Sequence, residues 1–137
     1  MKSILSFAIG LIALFTVTTG FTPVIKANPM FVSSACLDGR TIKATVAGLG
    51  TGPVTATASG QFICVNRGGN EPKPQSFTIS QTFSKRTGGN FKLALNVALL
   101  CPNRNFTFKV FNLKLEVCNA AGECAEQTID GRLPSCK

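Results

Sequence analysis

The sequence predicts an all-β domain: a small antiparallel β-sandwich stapled by disulfides. Three observations carry that expectation. Short runs alternate apolar and polar residues between Gly- and Pro-rich turns; no stretch beyond the N-terminal apolar segment shows a helical period; and six cysteines all lie downstream of that segment. Strands of this length without crossover helices favour an immunoglobulin-like Greek key, with a small closed barrel as the alternative. The chain has no tryptophan, so the core Trp of true immunoglobulin domains is missing and the analogy extends to architecture alone.

The chain opens with Lys2 and an apolar run from Ile4 to Val17, too short to span a bilayer and suited to an export signal. Small residues place cleavage after Gly20 or after Ala27, so residues 1–27 are read as a signal peptide and residues 28–137 as one domain without a membrane span. A secreted or periplasmic protein is expected. Lys and Arg total 14 against 6 acids; without Lys2 and Lys26 the remaining 12 leave a net charge of +6.

Residues 40–47 set Ile42, Ala44 and Val46 against Thr41, Lys43 and Thr45, a half-buried strand. A glycine-rich break at residues 48–53 leads into a second strand, 54–65, and the two are expected to form a hairpin. A long polar loop follows at 67–74. Phe77, Ile79 and Phe83 mark a third strand; a basic turn holding Lys85 and Arg86 then leads to Phe91, Leu93, Leu95, Val97 and Leu99, a second expected hairpin. Between residues 104 and 118 the apolar parity changes from Phe106, Phe108 and Val110 to Phe111, Leu113, Leu115 and Val117, which calls for a β-bulge near Val110 or Phe111. Residues 125–129 form a last strand and 131–137 a tail. The expected core comprises Phe77, Ile79, Leu93, Leu95, Val97, Phe106 and Phe108.

Cys36, Cys64, Cys101, Cys118, Cys124 and Cys136 are spaced by 28, 37, 17, 6 and 12 residues, with no C-x-x-C pair, so three disulfides are expected and no metal. Six cysteines allow fifteen connectivities. The turn at 119–123 favours Cys118 with Cys124; Cys64 with Cys101 across the core and Cys36 with Cys136 at the ends complete the expected set.

Histidine and tyrosine are also absent, which removes imidazole acid–base chemistry and His-ligated metal sites. Serine and threonine lack a supporting base, and the carboxylates Asp38, Glu71, Glu116, Glu123, Glu126 and Asp130 read as solvated strand and turn positions. Residues 48–52 share only glycine content with a phosphate loop. The expectation is therefore a cofactor-free, non-enzymatic binding protein, its contacts at the basic turn residues Arg67, Lys73, Lys85 and Arg86. Its partner would be an anionic polymer or surface, or another extracellular protein. A toxin, effector or antimicrobial protein is the alternative reading, and a protease inhibitor presenting the 67–74 loop a further one.

Overall fold

The computed structural model describes residues 30–84 and 90–137, so the signal-peptide reading of residues 1–27 falls outside the described residues. Alternation across Thr41–Ala47 turns Ile42, Ala44 and Val46 inward, and this strand, β2, is the middle of a three-stranded antiparallel sheet between β1 (Phe31–Asp38) and β5 (Phe91–Asn96). Facing it is a four-stranded antiparallel sheet made of β3 (Val54–Val65), β4 (Gln75–Phe83), β6 (Thr107–Cys118) and β7 (Cys124–Arg132), in the order β4-β3-β6-β7. The two layers enclose one core, and the expected β-sandwich is the architecture found. Its fourth strand lies beside the third; the constant-type immunoglobulin order would put it beside the fifth.

Neither hairpin expected from the first four alternating segments forms. β2 and β3 belong to different sheets, as do β4 and β5. Alternation reports which face of a strand is buried, not which strand lies next to it, and in a sandwich both sheets bury one face. The 48–53 connection crosses between layers: Gly48, Gly50 and Gly52 all take positive φ, and Leu49 turns inward to become one of the most buried side chains. At the far side of the same end, the rings of Phe83 and Phe91 meet edge to face, 5.5 Å apart. β1 is a seventh strand that alternation does not reveal, because the register shifts between Val32 and Ser34 and the extra Ser33 breaks the pattern.

The phase change in β6 is a bulge, centred at Asn112, one residue beyond the expected place. Asn112 and Leu113 together oppose Gly60 of β3, so Phe108 and Val110 on one side and Leu113, Leu115 and Val117 on the other all face the core. Asn112 takes a left-handed φ of 51°, donates through Nδ2 to Gln61 Oε1 (3.2 Å) and accepts the Gly131 N–H at Oδ1 (2.9 Å). One side chain thus ties β3, β6 and β7 together at the irregularity.

The expected core holds at Phe77, Leu93, Leu95, Val97 and Phe108, whereas Ile79 and Phe106 are half-buried at its margin. Leu99 departs from the strand altogether and is 93% exposed. The Asn96 side chain accepts the Ala98 N–H (2.9 Å) and ends β5 there, after which Ala98–Leu100 forms a single 3-10 turn. All three disulfides join the expected partners: Cys36–Cys136, Cys64–Cys101 and Cys118–Cys124. The C-terminal segment is no loose tail. Leu133 is buried, its N–H bonded to Val110 O (2.8 Å), and the chain then crosses to the other sheet, where Leu37 N donates to Pro134 O (2.8 Å) and Cys136 N to Leu37 O (3.0 Å).

Gly60 tests the bulge. A Cβ there would lie 2.9 Å from Phe111 O and 3.0 Å from Asn112 O, both backbone atoms. Gly60→Ala should lower unfolding free energy by about 1–3 kcal/mol in denaturant titration. Unchanged stability would show that β6 can move aside freely and does not need the glycine.

Candidate anion-binding site

The β1–β2 turn, the end of β5, the start of β6 and the end of β7 converge at one end of the sandwich. Arg40, in that turn, organises them. Its carbonyl accepts the Val97 N–H (2.9 Å), and its guanidinium donates through Nη1 to Cys101 O and through Nη2 to Asn103 O and Phe106 O, the last at 3.4 Å. One planar cation therefore holds three carbonyls of the segment that carries the chain from the three-stranded to the four-stranded sheet. Cys101, buried and bonded to Cys64 of β3, pins the same segment from the other side.

The clamp shapes a pocket of about 340 Å³ lined by Leu37, Arg40, Arg104, Phe106, Arg132 and Leu133, among others. Three arginines and no acid line it. Arg40 gives its donors to the backbone. Arg104 has no hydrogen-bond or ion-pair partner among the described residues, and Arg132 forms no ion pair there. A planar guanidinium can grip a carboxylate, sulfate or phosphate through two parallel N–H bonds.

Two acids near this end are already paired. Lys43 holds Asp38, and Lys109 holds Glu71 at 2.5 Å. The Lys109 hydrogen bond, then its charge, with a smaller contribution from Arg132, keeps the Glu71 carboxyl below its ordinary pKa. Glu116, Glu123 and Glu126 lie instead around the Cys118–Cys124 hairpin, at the opposite end.

Arg67 and Lys73, expected as contacts, are exposed at the same end as the arginine pocket, on the loop that follows β3. That loop is anchored. Asn66 O accepts the Gly69 N–H (3.0 Å), Asn66 Oδ1 accepts the Asn70 N–H (3.3 Å), and Glu71 reaches Lys109, the β6 partner of the buried outer-face Ile63. Lys85 and Arg86 lie outside the described residues; the strands on either side end, at Phe83 and Phe91, at the opposite end of the sandwich. The four expected contacts therefore do not share one described surface. Arg40, Arg104 and Arg132 were missed as a group, since they are 64 and 28 residues apart and only the β5–β6 crossing brings them together. The available signal was Cys-Pro-Asn-Arg-Asn at 101–105, a turn-rich segment with a cation.

Lys43, Lys92 and Lys137 make a second basic surface around a pocket of about 500 Å³ on the outer face of the three-stranded sheet, where Lys43 is already paired with Asp38. Glu116, Cys118 and Cys124 cluster closely enough for a metal, but the two sulfurs are bonded to each other and offer no thiolate.

Two measurements test this geometry. Arg40→Ala strands three carbonyls at the inter-sheet crossing and should cost about 1–3 kcal/mol in denaturant titration, with Arg40→Lys recovering only part, since an ammonium cannot span the same fork. Stability equal to the native protein would show that the clamp is dispensable. For Glu71, a depressed folded pKa means that anchoring is present above the ordinary value of 4.5 and is lost as pH falls through the lower folded value. Amide-exchange protection of residues 66–74 should follow that course, and Glu71→Gln should abolish its pH dependence; an unchanged acid profile in the variant would assign the anchoring to another group.

The chain matches no protein-family model, and no curated protein sequence matches it either.

Proposed function

We propose that this chain is an exported, non-enzymatic binding module whose arginine-lined end engages an anionic ligand, with sulfated or phosphorylated polymers as the fitting class. The observation that carries the reading is the pocket between the sheets: Arg40, Arg104 and Arg132 line it, no carboxylate does, and Arg104 is uncommitted among the described residues. Arg67 and Lys73 extend the positive field at the same end. The scaffold supports recognition because the loop bearing Arg104 is held by Arg40 and the Cys64–Cys101 bond, so little conformational entropy is lost on docking. Three disulfides accord with an oxidising compartment, and the Lys2-led apolar segment supports export. Without histidine, and with Glu71 and Asp38 already engaged by lysines, this end offers groups for holding an anion and none suited to relaying a proton.

The test is a salt-titrated binding assay with a heparin-like sulfated polysaccharide, comparing the native protein with Arg104→Ala/Arg132→Ala. The double variant should bind about tenfold or more weakly near 0.15 M salt, and its log–log salt slope should fall by about two, one for each cation removed. Its melting temperature should hold, as both side chains are free of ion pairs among the described residues. Equal affinity and slope for both proteins would dismiss the pocket as the binding site.

A further inference from the structure

A sandwich of two open sheets has four edges, and in this molecule three are blunted. β1 is covered at Leu37 by the C-terminal segment, tied down through Cys36–Cys136, and bulged at Ser33. β5 is six residues long and carries Lys92. β7 carries Glu126 and Asp130 and is interrupted near Gly131, opposite the Asn112 bulge. Short length, charge, bulges and covering segments are the usual devices that keep a strand edge from pairing with another chain.

β4 has none of them. Its nine residues, Gln-Ser-Phe-Thr-Ile-Ser-Gln-Thr-Phe, include no charge, proline or glycine, and its register with β3 runs unbroken from Val54↔Phe83 to Phe62↔Gln75. Alternate backbone N–H and C=O groups along it point away from β3, and no backbone hydrogen bond from another described segment reaches it.

We infer that β4 is a self-association edge, on which two copies of this chain pair antiparallel about a two-fold axis at Ile79 and join their four-stranded sheets into one. The strand is self-complementary about that point. On the outer face the axis sets Thr78 opposite Ser80 and Ser76 opposite Thr82, extending the hydroxyl contacts that already link Thr57 with Ser80 (2.5 Å) and Thr55 with Thr82 (3.1 Å). On the inner face Ile79 meets its own copy and Phe83 meets Gln75, covering apolar surface that β4 leaves half-exposed at the core margin.

Charge selects a second copy as the occupant. The mature chain, with its net charge of +6 from 12 cations and 6 acids, repels itself, and β4 is the edge strand that carries no charged side chain at all. The antiparallel arrangement also sends the arginine-lined ends to opposite extremes of the dimer, which keeps them apart. The inference rests on the strand edge alone and stands whether or not that end binds anions.

Sedimentation equilibrium of the disulfide-bonded protein tests it. The native chain should show a concentration-dependent monomer–dimer equilibrium. Thr78→Lys/Ser80→Lys and Thr78→Glu/Ser80→Glu should each raise the dissociation constant by about tenfold or more, because each sets like charges directly opposite across the axis. Mixing the two variants should restore dimers as a one-to-one heterodimer, an outcome that misfolded variants could not produce. A native protein monomeric up to about millimolar concentration, dimers that persist in both charged variants, or a mixture that stays monomeric would each overturn the inference; the same edge capturing only an unrelated extended peptide would do so too.

Discussion

The arrangement of this end of the molecule depends on one guanidinium. Two stacked sheets touch through side chains, and where the arginines gather two stretches of chain cross between them: the C-terminal segment, bonded to β1 through Leu37 and Cys36–Cys136, and the chain that runs from β5 to β6. Arg40 holds that crossing by three carbonyls while Cys64–Cys101 holds it to β3. The choice of arginine follows from its shape: a rigid fork of donors can satisfy several carbonyls of an irregular loop at once, and it stays charged when partly buried. The same contact that closes the fold therefore places permanent positive charge at the mouth between the sheets. Structure and electrostatics have a common origin there.

Elsewhere the packing is governed by β3 and β6, the paired strands at the centre of the larger sheet. β3 contributes the small Ala56 and Ala58, beside Val117 and Leu115 of β6, so the larger side chains of the facing sheet, Ile42, Leu93 and Leu95 among them, have room to interdigitate. That fit requires β6 to keep its apolar side chains inward along twelve residues, although its sequence changes parity half-way. Asn112 and Gly60 reconcile the two, one by adopting a left-handed backbone and bonding to both neighbouring strands, the other by leaving room for the carbonyls that the bulge displaces.

Much of this was legible from residue types. Alternation found the inward faces of β2, β5 and β6, and the parity change in β6 located the bulge to within two residues, because both patterns are set by neighbours along the chain. Of the disulfides only Cys118–Cys124 was legible, because a five-residue turn joins its two ends; the other two pairs match the expected ones, but nothing in the sequence chose them from the fifteen connectivities. Pairing was not legible. Nothing local in residues 48–53 distinguishes a hairpin turn from a passage between layers, except that Leu49 is too apolar for a turn tip. The candidate site was half-legible: Arg67 and Lys73 are at its end of the molecule, but Arg40 read only as the first residue of a half-buried strand, and its role depends on carbonyls more than sixty positions away. A non-local clamp of backbone acceptors leaves no signature in side-chain identity.

The most direct measurement is a backbone amide chemical-shift titration of the folded protein with a sulfated oligosaccharide, repeated at raised salt. The account predicts shifts concentrated at Gly39 and Arg40, at Arg104 to Phe108 and at Arg132 to Ser135, fading together as salt screens the interaction. Shifts centred instead on Lys43, Lys92 and Lys137, across the outer face of the smaller sheet, or shifts at the arginine-lined end that persist unchanged at high salt, would contradict it.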